Sequence, residues 1–140
     1  MIEITLSDLN KGSFYEKTLQ TIEQICDDYG ITNEFGTLSM ANQMVLDYLE
    51  AYHPNFIVDV SYQIDNSEVG MSYDLQAGDF NLLSQNNEGQ NTALFVLQSL
   101  ADDITFSSDY DSLTATFHVK TKINIQRTMQ RQEVRQNIFK

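Results

Sequence analysis

The segment 56–65 constrains the fold most. Val58, Val60, Tyr62 and Ile64 alternate with Asp59, Ser61, Gln63 and Asp65, and Phe56 keeps the apolar phase. Side chains on a strand point to opposite faces in turn, so this stretch is a strand with one face buried and one wet. Asp65-Asn66-Ser67-Glu68 has turn composition. Beyond it Met71, Tyr73 and Leu75 alternate with Ser72 and Asp74, so the chain returns as the second arm of a hairpin. A sheet wet on one face must cover the other, and the flanking sequence has to supply that cover.

It does so with helices. Ser13-Phe14-Tyr15-Glu16 has the spacing of a capping box. After it Tyr15, Leu19, Ile22, Cys26 and Tyr29 recur at threes and fours, with Ile25 alongside, and Gly30 provides a left-handed stop. A second helix is predicted over 37–52, ended by His53-Pro54, with Leu38, Ala41, Val45, Tyr48 and Tyr52 as its buried stripe. Its opposite face carries Gln43, Asp47 and Glu50. A third helix covers 93–102, capped by Asn91 or Thr92. Strands are predicted at 2–6, 104–106 and 113–119, and 76–92 reads as an amide-rich loop. The resulting fold class is α+β, a two-layer sandwich of a mostly antiparallel sheet with three helices on one face.

The 140 residues, 41% of them apolar, suffice for one domain. We divide the chain into a sandwich at 1–122 and a basic tail at 123–140. Through Val119 there are 19 acidic and 2 basic residues, whereas from Lys120 onward six basic residues face Glu133 alone. The acidic body excludes nucleic-acid binding through its surface. The lone Cys26 excludes an intrachain disulfide, and neither a leader pattern nor an apolar run of about 20 residues is present, so a cytoplasmic protein without membrane contact is expected. In a helical tail Arg127, Arg131 and Arg135 would form a basic stripe, while Ile125, Met129, Val134 and Ile138 scatter. His53 and His118 have no metal-ligating neighbours at telling spacing, and Cys26 falls on a core stripe.

Two helices, a hairpin ending in Asp74-x-x-x-Gly78, a polar loop, and a helix entering a last hairpin together resemble the ATP-binding domain of histidine kinases and gyrases. The small bacterial anti-sigma-factor serine kinases are the nearest in length. The resemblance spans about 2–122 and implies a nucleotide pocket for ATP or ADP with magnesium. Within it, Asp74 would contact adenine, and Gly78, Asn91 and Thr92 would border the nucleotide. Asp47 would stand at the magnesium position and Gln43 at that of the general base. An amide accepts no proton near neutral pH, so Gln43 cannot serve as that base. Gln76 replaces one motif glycine, and Asn91 and Ala93 replace both lid glycines.

The expectation is therefore a regulatory protein with a degenerate catalytic apparatus, acting on a protein partner of the sigma-factor or antagonist type. An active ATP-dependent serine kinase and a ligand-free assembly module remain the alternatives, and a homodimer stays open.

Overall fold

In the computed structural model, which describes residues 1–85 and 92–122, the alternating segment is the strand β2 (Ile57–Ile64), and Val58, Val60, Tyr62 and Ile64 are all buried. It lies between β1 (Ile2–Leu9) and β3 (Glu68–Ala77). β5 (Ser112–His118) pairs with β3, and β4 (Asp103–Phe106) closes the far edge. The five strands of the described residues run in the order β1-β2-β3-β5-β4, with every neighbouring pair antiparallel.

The β2–β3 turn owes its geometry to one carboxylate. Asp65 Oδ1 accepts the backbone N–H groups of Ser67 and Glu68, both at 2.9 Å. These bonds stabilise the charged form and hold the Asp65 carboxyl below the usual range.

Among the described residues four helices cover one face: α1 (Phe14–Asp28), α2 (Phe35–Tyr52), the single turn α3 (Asn81–Ser84) and α4 (Thr92–Leu100). The predicted two-layer α+β sandwich is the fold observed. One continuous core joins Ile22 and Ile25 of α1, Val45 and Leu49 of α2 and Leu97 of α4 to the inner face of the sheet. Among the described residues no helix is long and apolar enough to cross a membrane.

Several local expectations are corrected. The buried side of α1 is centred on Phe14, Thr18, Ile22 and Ile25, while Tyr15 is 51% exposed. The apolar band is wider than the core contact, and Phe14 takes the inner position because it is held between Phe56 at 5.8 Å and Tyr73 at 6.2 Å. No capping box forms: Ser13 is itself helical, its Oγ accepts the Asn10 N–H at 3.0 Å, and the Asn10 carbonyl accepts from Ser13 and Phe14. At the other end Gly30 has φ 67°, and the Ile31 N–H reaches the Cys26 carbonyl at 2.9 Å, closing the helix as the glycine predicts.

Tyr52 is 56% exposed, and Asn42, Leu46 and Leu49 share the inner face instead. β1 extends to Leu9 through an irregularity at Leu6/Leu9, where Asp8 has φ 57°. The predicted loop contains α3, anchored by buried Phe80 and Leu83. Asn91 and the tail at 123–140 lie outside the described residues.

Candidate functional site

The strand alternation that buries Tyr73 and Leu75 turns Asp74 to the open face of the sheet, away from the helices. Its cross-strand neighbours there are Asp59 on β2 and Ser112 on β5, and the Ser112 hydroxyl donates to the Asp74 carboxylate. Gln76, two residues on, occupies the same face. Its amide donates to Asp8 Oδ1 at 2.7 Å and to Asp59 Oδ1 at 3.0 Å, and Asp59 Oδ1 also accepts the Asp8 N–H at 2.8 Å. A neutral donor between two carboxylates relieves their repulsion, which explains an amide at this position. Further along the face, Ser72 donates to Gln63 and is hydrogen-bonded to Thr114.

Gln43 and Asp47 sit on the outer surface of α2, one turn apart, and the Gln43 amide donates to Asp47 Oδ1 at 2.8 Å. The sheet and the helix layer therefore stand between this pair and Asp74. Among the described residues no group of three or more His, Cys, Asp or Glu side chains is placed to hold a metal ion.

Gly78 belongs to a third place. It leaves β3 with φ 105°, a conformation that side chains other than glycine rarely adopt. A Cβ there would lie 3.0 Å from Cγ of His53, so the glycine also permits close approach of the α2 terminus. The next residue is clamped from three sides: Tyr48 donates from its hydroxyl to the Asp79 carbonyl at 2.9 Å, the Asp79 N–H donates to His53 Nε2 at 3.4 Å, and Asp79 Oδ1 accepts the Asn81 N–H. Tyr48 stacks on Phe80 at 5.9 Å, and burial pushes its phenol up. A cleft of about 280 Å³ lies beside this turn, between Tyr52, His53 and Gly78. Thr92 is the first residue of α4.

The structure thus brings together Gln43 with Asp47, and Gly78 with the end of α2. It does not bring Asp74 to either.

Two features have no counterpart in the sequence reading. The first is a buried polar relay: the Tyr73 hydroxyl donates to Asn42 Oδ1 at 2.9 Å, the Asn42 amide to Thr18 Oγ1 at 2.8 Å, and the Thr18 hydroxyl to the Phe14 carbonyl at 2.7 Å. It ties β3, α2 and α1 together. The signal was present in the helical periodicity, since Asn42 adjoins the stripe of Leu38, Ala41 and Val45.

The second is a groove along the outer helix surface. Over about 650 Å³ it is lined by Tyr15 and Leu19 of α1, Met40, Gln43 and Met44 of α2, and Val96 of α4. Gly36 and Ser39 complete the lining, and a Cβ at Gly36 would meet nothing within 4 Å. At Phe35 it adjoins a cleft of about 410 Å³ between Glu23, Cys26, Asp27 and Thr32. Burial, together with the charges of Asp27 and Glu34, pushes the Cys26 thiol up to about 11. One end of this surface is therefore apolar and the other acidic.

No family model matches the chain, and no curated protein matches it. What the fold and surface define together is a class: an antiparallel α+β sandwich with a polar open sheet and an apolar helix-side groove.

Proposed function

We propose that this is a cytoplasmic regulatory binding protein that acts on a protein partner rather than by phosphoryl transfer. The single observation that carries the reading is the helix-side groove, where Tyr15 and Met40 are each 51% exposed and Phe95, on the neighbouring α4, is 70% exposed. Large apolar side chains gathered at one surface are characteristic of protein contact. The resemblance to anti-sigma-type kinases supplies the class of partner, a sigma factor or its antagonist. The placement of Asp74 on the far side of the sheet from Gln43 and Asp47 supports the loss of catalysis, because adenine contact, general base and magnesium ligand must share one cleft.

Three measurements test the proposal. Thermal unfolding with millimolar ATP or ADP and magnesium should show no stabilisation, whereas a ligand at a hundred times its dissociation constant would add about 2.7 kcal/mol. Gln43→Glu should not create phosphoryl transfer, and transfer by that variant or by the parent protein would establish the kinase reading instead. Affinity capture with the parent protein should retain a partner that Met40→Glu loses. Recovery of further copies of the chain alone would favour an assembly module.

A further inference from the structure

The outer edge of β1 is an open hydrogen-bonding surface whose phase is set by the β2–β3 hairpin. The Asp65 N–H donates to the Glu68 carbonyl at 3.1 Å, so these two form a hydrogen-bonded pair. Alternation then makes Gln63, Ser61 and Asp59 the residues of β2 that bond to β3. Ile64, Tyr62 and Val60 bond to their partners on β1, which are Ile2, Ile4 and Leu6. The intervening Glu3, Thr5 and Ser7 therefore aim their backbone N–H and C=O groups away from the sheet. The Leu75 N–H keeps the same phase, donating at 2.8 Å to the Asp111 carbonyl on the β5 side.

Among the described residues β1 and β4 end the sheet, and the two edges differ. β4 offers four residues, the first of them Asp103 next to Asp102, whereas β1 offers eight with neither a proline nor a basic residue. Lysine and proline are common means of blocking a free edge, and β1 has only the charges of Glu3 and Asp8. Its Ile2, Ile4 and Leu6 pack on the core yet stay half-buried at the rim.

A second copy fits this edge. With Thr5 of one copy opposite Thr5 of the other in antiparallel pairing, Glu3 falls opposite Ser7 and Ile4 opposite Leu6. Each outward-aimed residue then meets another, and the apolar side chains meet on the helix side. A register centred on Glu3 sets like charges against each other, and one centred on Ser7 runs into the irregularity at Leu6/Leu9. The two-fold axis stands perpendicular to the sheet, which puts both helix layers on one side and α1 antiparallel to its copy. In helical projection Lys17, Thr21, Gln24 and Asp28 share the flank of α1 turned away from the groove-lining Tyr15 and Leu19. Two such flanks, run antiparallel, set Lys17 toward Asp28 and Thr21 toward Gln24, so opposite charges meet.

We propose that two copies of this chain pair edge to edge through β1 in the Thr5 register, doubling the five-stranded sheet and leaving the groove of each copy free. The pairing does not rest on the partner-binding reading.

The test is sedimentation equilibrium of the full chain at about 0.15 M salt, where a Debye length of about 8 Å limits repulsion between two bodies of net charge -12. The mass should rise with concentration from 16.0 kDa toward twice that value. Amide hydrogen exchange at Glu3, Thr5 and Ser7 should slow by about tenfold or more between dilute and concentrated protein. Thr5→Pro removes an outward N–H at an edge position, where proline is tolerated, and should leave a folded monomer. Ser7→Glu should weaken association about tenfold by facing Glu3, and adding Glu3→Lys to it should restore pairing. Met40→Glu, in the groove, should leave association unchanged. A mass of 16.0 kDa at every concentration would overturn the proposal. So would a dimer that leaves those three amides unprotected, one indifferent to Ser7→Glu, or one lost in Met40→Glu, which would place the contact in the groove.

Discussion

The two faces of the sheet use similar side chains to opposite effect. On the covered face, Tyr73, Asn42 and Thr18 form a buried relay with hydrogen bonds of 2.7 to 2.9 Å. On the open face, Asp59, Gln76, Asp8, Asp74 and Ser112 form four bonds against the relay's three, all of them solvent-exposed. In the interior an unmade bond leaves a polar atom stranded, whereas at the surface water replaces it. The buried relay is therefore architectural, and the open face tolerates change. Polar residues near a strand end point to function only once it is known which face they occupy.

The sharpest way to break the covered side is Phe14→Ala. Removing a fully buried ring between Phe56 and Tyr73 should cost about 3–5 kcal/mol in urea unfolding. A loss like that of a surface substitution would mean that Phe14 does not organise this junction.

Alkaline pH should also act on this side. Burial raises the phenols of Tyr62 and Tyr73 above their ordinary values near 10, so the neutral form is favoured in the folded chain. Their contribution to stability is complete below that unfolded value and declines as pH rises above it. Each phenol adds a slope of about 1.4 kcal/mol per pH unit. Cys26 joins from about pH 9 upward, since its thiol rises from 9.0 to about 11. Tyr73→Phe and Cys26→Ala should each flatten part of that loss in unfolding curves measured from pH 8 to 11.

Asn42→Ala should cost about 1–3 kcal/mol, since it strands the Tyr73 hydroxyl and removes the donor to Thr18. Combined with Tyr73→Phe, the two effects should fall short of additivity by about 0.5–3 kcal/mol, and full additivity would argue against a connected relay. Tyr62 is the reverse case: its hydroxyl is buried without a hydrogen-bond partner among the described residues. Tyr62→Phe should be neutral or stabilising by up to about 1 kcal/mol, and a clear destabilisation would reveal a partner for that hydroxyl. Smallest of all, Asp74→Asn should shift stability by less than about 0.5 kcal/mol, because its bond to Ser112 is solvent-exposed. A large loss there would place the open face on the same footing as the core.

Legibility in the sequence followed periodicity. The β2–β3 hairpin, the β4–β5 hairpin, the Gly30 helix stop and the sandwich class were all readable from short-range pattern. The rotation of α1 by one residue was not, because Phe14, Tyr15, Thr18 and Leu19 suit either setting until Phe56 and Tyr73 arrive from elsewhere in the chain. The buried role of Phe80 and Leu83 was hidden inside a polar stretch for the same reason.

The candidate site divides in the same way. Gln43 and Asp47 were legible as neighbours, being one helical turn apart. The clamp of Gly78 and Asp79 by Tyr48 and His53 was not, since it spans about thirty positions of chain.

Taken alone, the sequence determined local matters: where strands alternate, where helices stop, that the body is acidic, and that Asp74 faces away from Tyr73 and Leu75. These depend on backbone period and on charge, both properties of neighbouring residues. Only the tertiary structure decided which face the helices cover, and hence that Asp74 looks outward to Ser112 while Asn42 closes a relay inside. It alone also showed the helix-side groove, and brought Lys122 against Tyr29 and Gly30 at the end of α1. Those facts arise from packing between distant segments, where shape and burial select one arrangement among several that the local pattern allows.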